Sequence, residues 1–126
     1  MVAIRRHANP VEGAYVLCDQ AVTVYHRSGK DAITRTVHAS AFLDERKNLN
    51  VEKTGASEAN AFLLVIPGST QAVEVGDKVL RGEGPEIETD AAWAALVPAK
   101  VAGLVVVKYV DVKRYGGQIV HTEAGG

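Results

Sequence analysis

The sequence is poor in cysteine and in large aromatic residues, with one Cys, one Trp and two Phe among 126 residues. A single cysteine, Cys18, cannot form a disulfide within the chain, so the fold does not depend on an oxidising compartment. No apolar stretch approaches the roughly 18 residues that a membrane helix needs. No apolar segment follows the basic residues near the N-terminus, as it would in a secretory signal. These absences argue against a disulfide-rich scaffold and against a membrane partner.

The sequence also lacks an excess of either charge. Lys and Arg number 14 and Asp and Glu number 15, which gives a formal net charge of −1. Proteins that coat DNA or anionic membranes carry a strong positive charge, because most of their affinity is electrostatic. The balance therefore argues against such a role, although it leaves room for a local basic patch.

What the chain does contain is small and branched apolar residues, with 19 Val and 18 Ala. Valine favours strands, because its branched Cβ fits a pleated surface better than a helix. The length corresponds to one domain, which we place at residues 1–126, and it suffices for a hydrophobic core without metal or disulfide support. Composition thus predicts a single, Val-rich β domain.

Alternating and continuous apolar segments predict the first strands. Residues 21–27 and 33–43 have a period of two and flank the turn sequence Ser28-Gly29-Lys30-Asp31, a pattern typical of a β-hairpin. Residues 61–66 are continuously apolar and end at Pro67-Gly68, as in a strand that is buried on both faces.

Later segments predict more strands and one helix. Residues 78–81, 104–113 and 118–122 are rich in strand formers. Residues 89–97 predict a short helix, with Thr89 as its N-cap and Asp90 at the positive end of the helix dipole. The predicted fold class is all-β, mainly antiparallel: a small β-barrel or sandwich with a long polar loop and one short helix.

The remaining segments are less regular. Residues 1–20 are predicted to form either an N-terminal arm or, through their short apolar run, a first strand. Residues 123–126 are expected to be a frayed tail. Residues 44–60 carry seven charges and little periodicity. A polar loop of this length in a small domain is usually functional or disordered. We therefore place a candidate protein-interface loop there, with the candidate residues Arg46, Lys47, Asn48, Glu52 and Lys53.

No motif demands catalysis or a cofactor. The four histidines are His7, His26, His38 and His121, and none has a metal-binding spacing, although His26 and His38 could face each other across the first hairpin. Cys18 lies in an apolar run, which favours an inert buried thiol over a nucleophile. We accordingly predict no enzyme activity, no metal and no cofactor.

Two further segments each have a structural interpretation and a functional one. Gly82-Glu83-Gly84-Pro85 lacks the pattern of a phosphate-binding loop, and its glutamate would repel phosphate, so a turn is favoured. Basic and aromatic residues mix near the C-terminus, at Lys108, Tyr109, Lys113, Arg114 and Tyr115. Such a mixture suits single-stranded nucleic acid, but its density is low. A small β-barrel that binds single strands is therefore the alternative function.

The order of segments resembles small head–tail connector proteins of tailed phages. In those proteins an apolar strand that ends in Ile-Pro precedes a Gly-Asp segment, as Ile66-Pro67 precedes residues 76–82 here. The C-terminal segment 115–126 is similar to the end of minor capsid proteins from prophages of Gram-positive bacteria.

The resemblance implies a structural virion protein of the stopper or head-completion type that joins head and tail through protein–protein contacts. It implies a homo-oligomeric ring, neighbouring connector and tail proteins as partners, and residues 44–60 as the projecting loop. It places the protein in the host bacterial cytoplasm during assembly and afterwards in the virion. Such a ring subunit needs a different contact surface on each of its two sides.

Overall fold

A computed structural model of the protein describes residues 15–49 and 58–126. These residues form seven strands and one short helix. In chain order the elements are β1 (Gln20–Gly29), β2 (Ala32–Leu49), β3 (Glu58–Pro67), β4 (Lys78–Arg81), α1 (Asp90–Ala95), β5 (Leu104–Val106), β6 (Tyr109–Tyr115) and β7 (Gln118–Gly125).

All strand pairs are antiparallel, and the strands form one sheet in the order β5-β4-β1-β2-β3-β7-β6, which is not closed. Strand β2 belongs to both halves of this sheet. It pairs with β1 as far as Ala41 and with β3 from Phe42 onwards. The two edge strands, β5 and β6, are consecutive in the chain and separated by only Val107 and Lys108. The prediction of a mainly antiparallel β fold with one short helix is confirmed.

The main core lies between the two halves of the sheet. Its buried side chains come from strands of both halves and from the two segments that precede β4 and β6. They are Val22, Val24, Ala41, Leu43, Phe62, Leu64, Ile66, Val73, Val79, Val105, Val107 and Ala124. Small branched residues suit this position, because two sheet faces pack closely only when their side chains interdigitate.

A second, smaller cluster covers the other face of β1. Tyr25, Ile87, Leu96 and Leu104 are buried there, with Trp93 of α1 packed against them. The Tyr25 hydroxyl donates a hydrogen bond to the carbonyl oxygen of Pro85 at 2.7 Å. Strand β1 is therefore buried on both faces, which explains why its residues 22 to 25 are all buried.

Helix α1 begins as the sequence predicts. The Thr89 hydroxyl accepts a hydrogen bond from the backbone N–H of Ala92 at 3.1 Å, and Asp90 lies in the first turn. The helix ends at Ala95, two residues before the predicted end. Residues 82–85, predicted as a turn, have a bend at Gly82 and no turn, and Gly84 lies against the Tyr25 hydroxyl group. A Cβ at that position would come within 2.3 Å of the Tyr25 hydroxyl oxygen.

We expect Thr89→Ala to lower the free energy of unfolding by about 1 kcal/mol, because it leaves the Ala92 N–H without its acceptor. Urea denaturation followed by circular dichroism measures the change. Thr89→Ser is the matched control and should stay close to the wild type. Equal stability of the alanine variant and the wild type would show that the cap contributes nothing.

Two further sequence predictions are wrong. Residues 44–49 and 58–60, assigned to the long polar loop, are strand residues, because their backbones pair with each other despite their polar side chains. Residues 123–125, assigned to the frayed tail, extend β7 and pair with β3 and β6. Gly125 permits this, since a Cβ there would come within 2.6 Å of the Tyr109 ring.

The N-terminal arm is only partly described. Residues 1–14 lie outside the described residues. Tyr15 to Leu17 form a short turn, and the chain enters the sheet at Gln20. The described part of the apolar run, which begins at Tyr15, therefore does not form a first strand.

Candidate functional site

The feature that stands out from the sheet is a two-stranded ribbon, formed by residues 44–49 of β2 and 58–62 of β3. Strand β1 pairs with β2 only as far as Ala41, and β7 pairs with β3 only from Leu63 onwards. Within the described residues, neither outer edge of the ribbon has a strand partner. An unpaired edge exposes backbone N–H and C=O groups that can hydrogen-bond with a strand of another chain.

The root of the ribbon is fixed to the sheet by side chains. The backbone N–H of Leu43 donates to the Gln20 side-chain oxygen at 2.7 Å. Arg81 of β4 forms an ion pair with Glu45 at 3.1 Å and donates to the Leu43 carbonyl oxygen at 3.4 Å. These contacts join the root of the ribbon to β1 and β4.

The predicted interface residues divide between the ribbon and the undescribed segment. Arg46, Lys47 and Asn48 are in β2, in register with Ala61, Asn60 and Ala59 of β3. Glu52 and Lys53 lie outside the described residues. The part of the prediction that the structure covers thus lies on regular strand backbone rather than in a loop.

A groove of about 490 Å³ crosses the outer face of the sheet beside the ribbon. Phe42, Leu63 and Val65 form its apolar part, and the turn at Tyr15 to Cys18 forms one wall. Leu63 is 38% exposed. Sequence reasoning missed this groove, because its wall and its floor lie far apart in the chain.

A chain of three polar side chains fastens that wall to the sheet. The Tyr15 hydroxyl lies 2.6 Å from Nδ1 of His121, whose Nε2 lies 3.0 Å from a Glu123 carboxylate oxygen. Burial raises the pKa of the Tyr15 hydroxyl, and the nearby Cys18 and Glu123 raise it further. This direction favours the protonated hydroxyl, which hydrogen-bonds with the His121 ring.

Cys18 also lines the groove. Burial raises the pKa of its thiol, and the neighbouring Asp19 adds to the effect. The thiolate is the nucleophilic form of cysteine, so a raised pKa lowers reactivity at neutral pH. Cys18 is only partly buried, whereas the sequence predicted a buried thiol, and its inertness stays a prediction.

His26 has a partner that the sequence did not suggest. Its Nδ1 lies 2.6 Å from an Asp77 carboxylate oxygen, and Asp77 is only 3% exposed. The hydrogen bond to Asp77 raises the pKa of His26 against the opposing effect of burial. The other Asp77 oxygen accepts the backbone N–H of Glu74 at 2.8 Å, which closes the turn before β4.

His26 and His38 do not face each other directly, because the register opposes His26 to Thr34 and His38 to Val22. Burial lowers the pKa of His38. In residues 15–49 and 58–126, no three His, Cys, Asp or Glu side chains converge as a metal ion would require.

The C-terminal basic and aromatic residues lie on or next to edge strand β6. Tyr109 is 51% exposed and Tyr115 55% exposed. The Lys113 ammonium forms an ion pair with Asp111 at 2.8 Å, so acidic groups share this surface. Trp93 packs against the second cluster, and the Lys78 ammonium lies over its ring at 4.5 Å from the ring centroid.

Residues 17–126 match a protein family described as a family of unknown function, DUF6751. No curated protein and no solved structure matches the chain. None of the helical structure in the described part of the chain has the length and hydropathy of a membrane span.

Proposed function

Because the chain belongs to the DUF6751 family, whose function is not established, we propose a function from its own geometry. The protein is a structural, non-enzymatic subunit that joins parts of a larger assembly through protein–protein contacts, and the ribbon is its main contact. The assembly we propose is the head–tail junction of a tailed phage, following the sequence resemblance. The partners are neighbouring connector and tail proteins.

The observation that carries this proposal is the pair of unpaired edges on the ribbon. Strand addition to an exposed edge is a recurring mode of protein recognition, because the main chain supplies hydrogen bonds and alternate side chains supply specificity. Monomeric proteins usually protect such edges, by keeping them short or by covering them. A ribbon held at its root by Arg81 and Gln20 and left open beyond Glu45 is suited to reach a partner.

The titratable groups of the groove support a binding role over an enzymatic one. Catalytic nucleophiles are usually activated by a lowered pKa or by a base within reach. The pKa values of Tyr15 and Cys18 are instead raised by burial and by nearby negative groups. His121 of β7 holds the groove wall through its hydrogen bond with Tyr15, and its other ring nitrogen contacts Glu123 of the same strand.

We expect replacement of residues 47–60 by Asn-Gly to abolish partner binding without unfolding the protein. Arg46 and Ala61 are opposite each other in the hairpin, and Asn-Gly forms the two-residue turn that joins such positions. The wild type and the variant would each be co-expressed with the products of the neighbouring genes and purified by affinity. The wild type should retain a connector or tail protein that the variant loses.

Two results would contradict the proposal. One is equal retention of partners by the wild type and the shortened variant. The other is the absence of any co-purifying connector or tail protein with the wild type. Thermal unfolding of the shortened variant is the control for folding, since that variant keeps every core side chain named above.

A second candidate function is binding of single-stranded nucleic acid on β6. The exposed rings of Tyr109 and Tyr115, next to Lys113 and Arg114, favour it, because aromatic rings stack on bases and cations contact phosphates. Asp111 and Glu123 oppose it. Fluorescence anisotropy with single-stranded DNA at about 50 mM salt, where electrostatic affinity is high, distinguishes the two candidates. Absence of binding there excludes the second.

A further inference from the structure

The groove beside the ribbon is bordered by exposed apolar side chains. Phe42, Leu63 and Val65 form its apolar part, and Leu17 and Tyr115 also line it. Leu17, Leu63 and Tyr115 are all exposed. A small-molecule site encloses most of its ligand, whereas an exposed apolar patch with polar neighbours is typical of a protein interaction site. The groove therefore favours a segment of a partner protein as its occupant.

The strand register shows how the groove runs over the sheet. Val65 of β3 is level with Glu123 of β7 and Asp111 of β6. Arg114, three positions further along β6, also lines the groove. Because a strand rises about 3.4 Å per residue, roughly 10 Å separates the level of Val65 from that of Arg114. The groove thus extends from an apolar part at the root of the ribbon to an arginine near the turn between β6 and β7.

Among the described residues, the charges that line the groove are matched within the protein except at Arg114. Lys113 pairs with Asp111 at 2.8 Å, and Glu123 contacts Nε2 of His121 at 3.0 Å. Arg114 is exposed, and no group in residues 15–49 or 58–126 forms an ion pair or a side-chain hydrogen bond with it. A guanidinium group binds a carboxylate through two parallel N–H donors. Charge complementarity therefore indicates a carboxylate in the occupant.

We propose that the groove binds a segment of a partner protein that carries an apolar side chain and, two positions away, an aspartate or a glutamate. The apolar side chain packs on Phe42, Leu63 and Val65, and the carboxylate pairs with Arg114. In an extended segment, positions two apart point to the same face and lie about 7 Å apart. The long arginine side chain spans the rest of the distance.

This inference rests on the proposed function and specifies the chemistry of the partner. Phe42 and Leu63 belong to β2 and β3, the two strands that continue into the ribbon. A segment in the groove therefore adjoins a strand that is added to an edge of the ribbon. The ribbon supplies backbone hydrogen bonds to any extended segment, and the groove selects the segments that carry the apolar and acidic side chains.

Two peptides that differ in one group test this chemistry. The probes are acetyl-Trp-Ala-Asp-amide and acetyl-Trp-Ala-Asn-amide, titrated into the ¹⁵N-labelled protein. Both should shift the backbone amide resonances of Leu63, Val65 and Val120 in a saturable manner. The aspartate peptide should bind about threefold more tightly, which is the size typical of an exposed ion pair.

Variants assign the two parts of the site. Arg114→Gln should remove the preference for the aspartate peptide, and Arg114→Glu should reverse it, because a carboxylate then faces a carboxylate. Leu63→Gln should weaken both peptides equally, by about fivefold, because it removes apolar contact area. Lys100→Gln is the matched control, since Lys100 is exposed and does not line the groove. It should keep the threefold preference.

The inference is overturned if neither peptide shifts the groove resonances, if both bind the wild type equally, or if Arg114→Gln keeps the preference. Co-expression with the products of the neighbouring genes then tests whether the occupant is a protein. Arg114→Glu, with its ribbon intact, should retain less than a third of the connector or tail protein that the wild type retains. Full retention would overturn the inference and leave the proposed function in place, because that function is tested by the shortened ribbon. A wild type that retains no partner would remove both.

Discussion

Replacement of Tyr25 by alanine is expected to lower the free energy of unfolding by about 3–5 kcal/mol, the range typical of buried aromatic residues. The Tyr25 side chain is fully buried between β1 and the 84–96 segment. Its removal leaves a cavity in the second cluster and takes away the hydrogen bond to the Pro85 carbonyl oxygen. Urea denaturation followed by circular dichroism measures the loss.

Tyr25→Phe separates the ring from the hydroxyl group. The phenylalanine variant retains the packing and loses one hydrogen bond to a buried carbonyl, so we expect a loss of about 1–2 kcal/mol. Equal losses in the two variants would contradict the assignment of Tyr25 as a packing anchor. They would instead assign its whole contribution to the hydroxyl group.

Asp77→Ala should be the second most damaging change, with a loss of about 2–4 kcal/mol. The carboxylate is buried and makes two hydrogen bonds, one to the His26 ring and one to the Glu74 N–H. Hydrogen bonds to charged groups contribute more than neutral ones, and a buried N–H without an acceptor adds a penalty. Thermal or urea unfolding of the variant tests this expectation.

The pH dependence of that loss identifies the part that comes from His26. Asp77 raises the pKa of His26 in the folded protein, so folding favours the protonated ring. This stabilisation is fully present below the unfolded pKa, about 6.5, and is lost as the pH rises through the folded pKa. The stability difference between the wild type and Asp77→Ala should therefore be larger at about pH 5.5 than at about pH 8.5. A difference independent of pH would mean that Asp77 acts only through the Glu74 turn.

Local patterns in the sequence were sufficient for the fold class. The alternation around Val22 and Val24, the apolar run 61–66 and the Thr89 cap each predict the element that forms, because strand pleating and helix capping depend on nearby residues. The same reasoning failed at residues 44–49. A run of consecutive polar residues has no hydrophobic period, although backbone pairing with residues 58–63 makes the segment a strand.

Contacts between distant residues could not be predicted. His26 and Asp77 are 51 positions apart, and Tyr15 and His121 are 106 apart. Nothing in a single sequence connects such positions, since their proximity follows from strand order and register. Residues 123–125 show the same limit. Their Gly and Ala content predicts a frayed tail. In the structure, Gly125 is instead the residue that lets the Tyr109 ring lie against β7.

The passage of β2 from one half of the sheet to the other has a mechanical consequence. The 18 residues of β2 have a contour length of about 60 Å, and a single backbone runs from its pairing with β1 to the open ribbon. Tension applied lengthwise to the ribbon is carried along β2 and loads the hydrogen bonds with β1 and β3 in shear, many at once. Peeling the same strand from its edge would break those bonds one after another. The ribbon should therefore withstand a lengthwise pull far better than a sideways one.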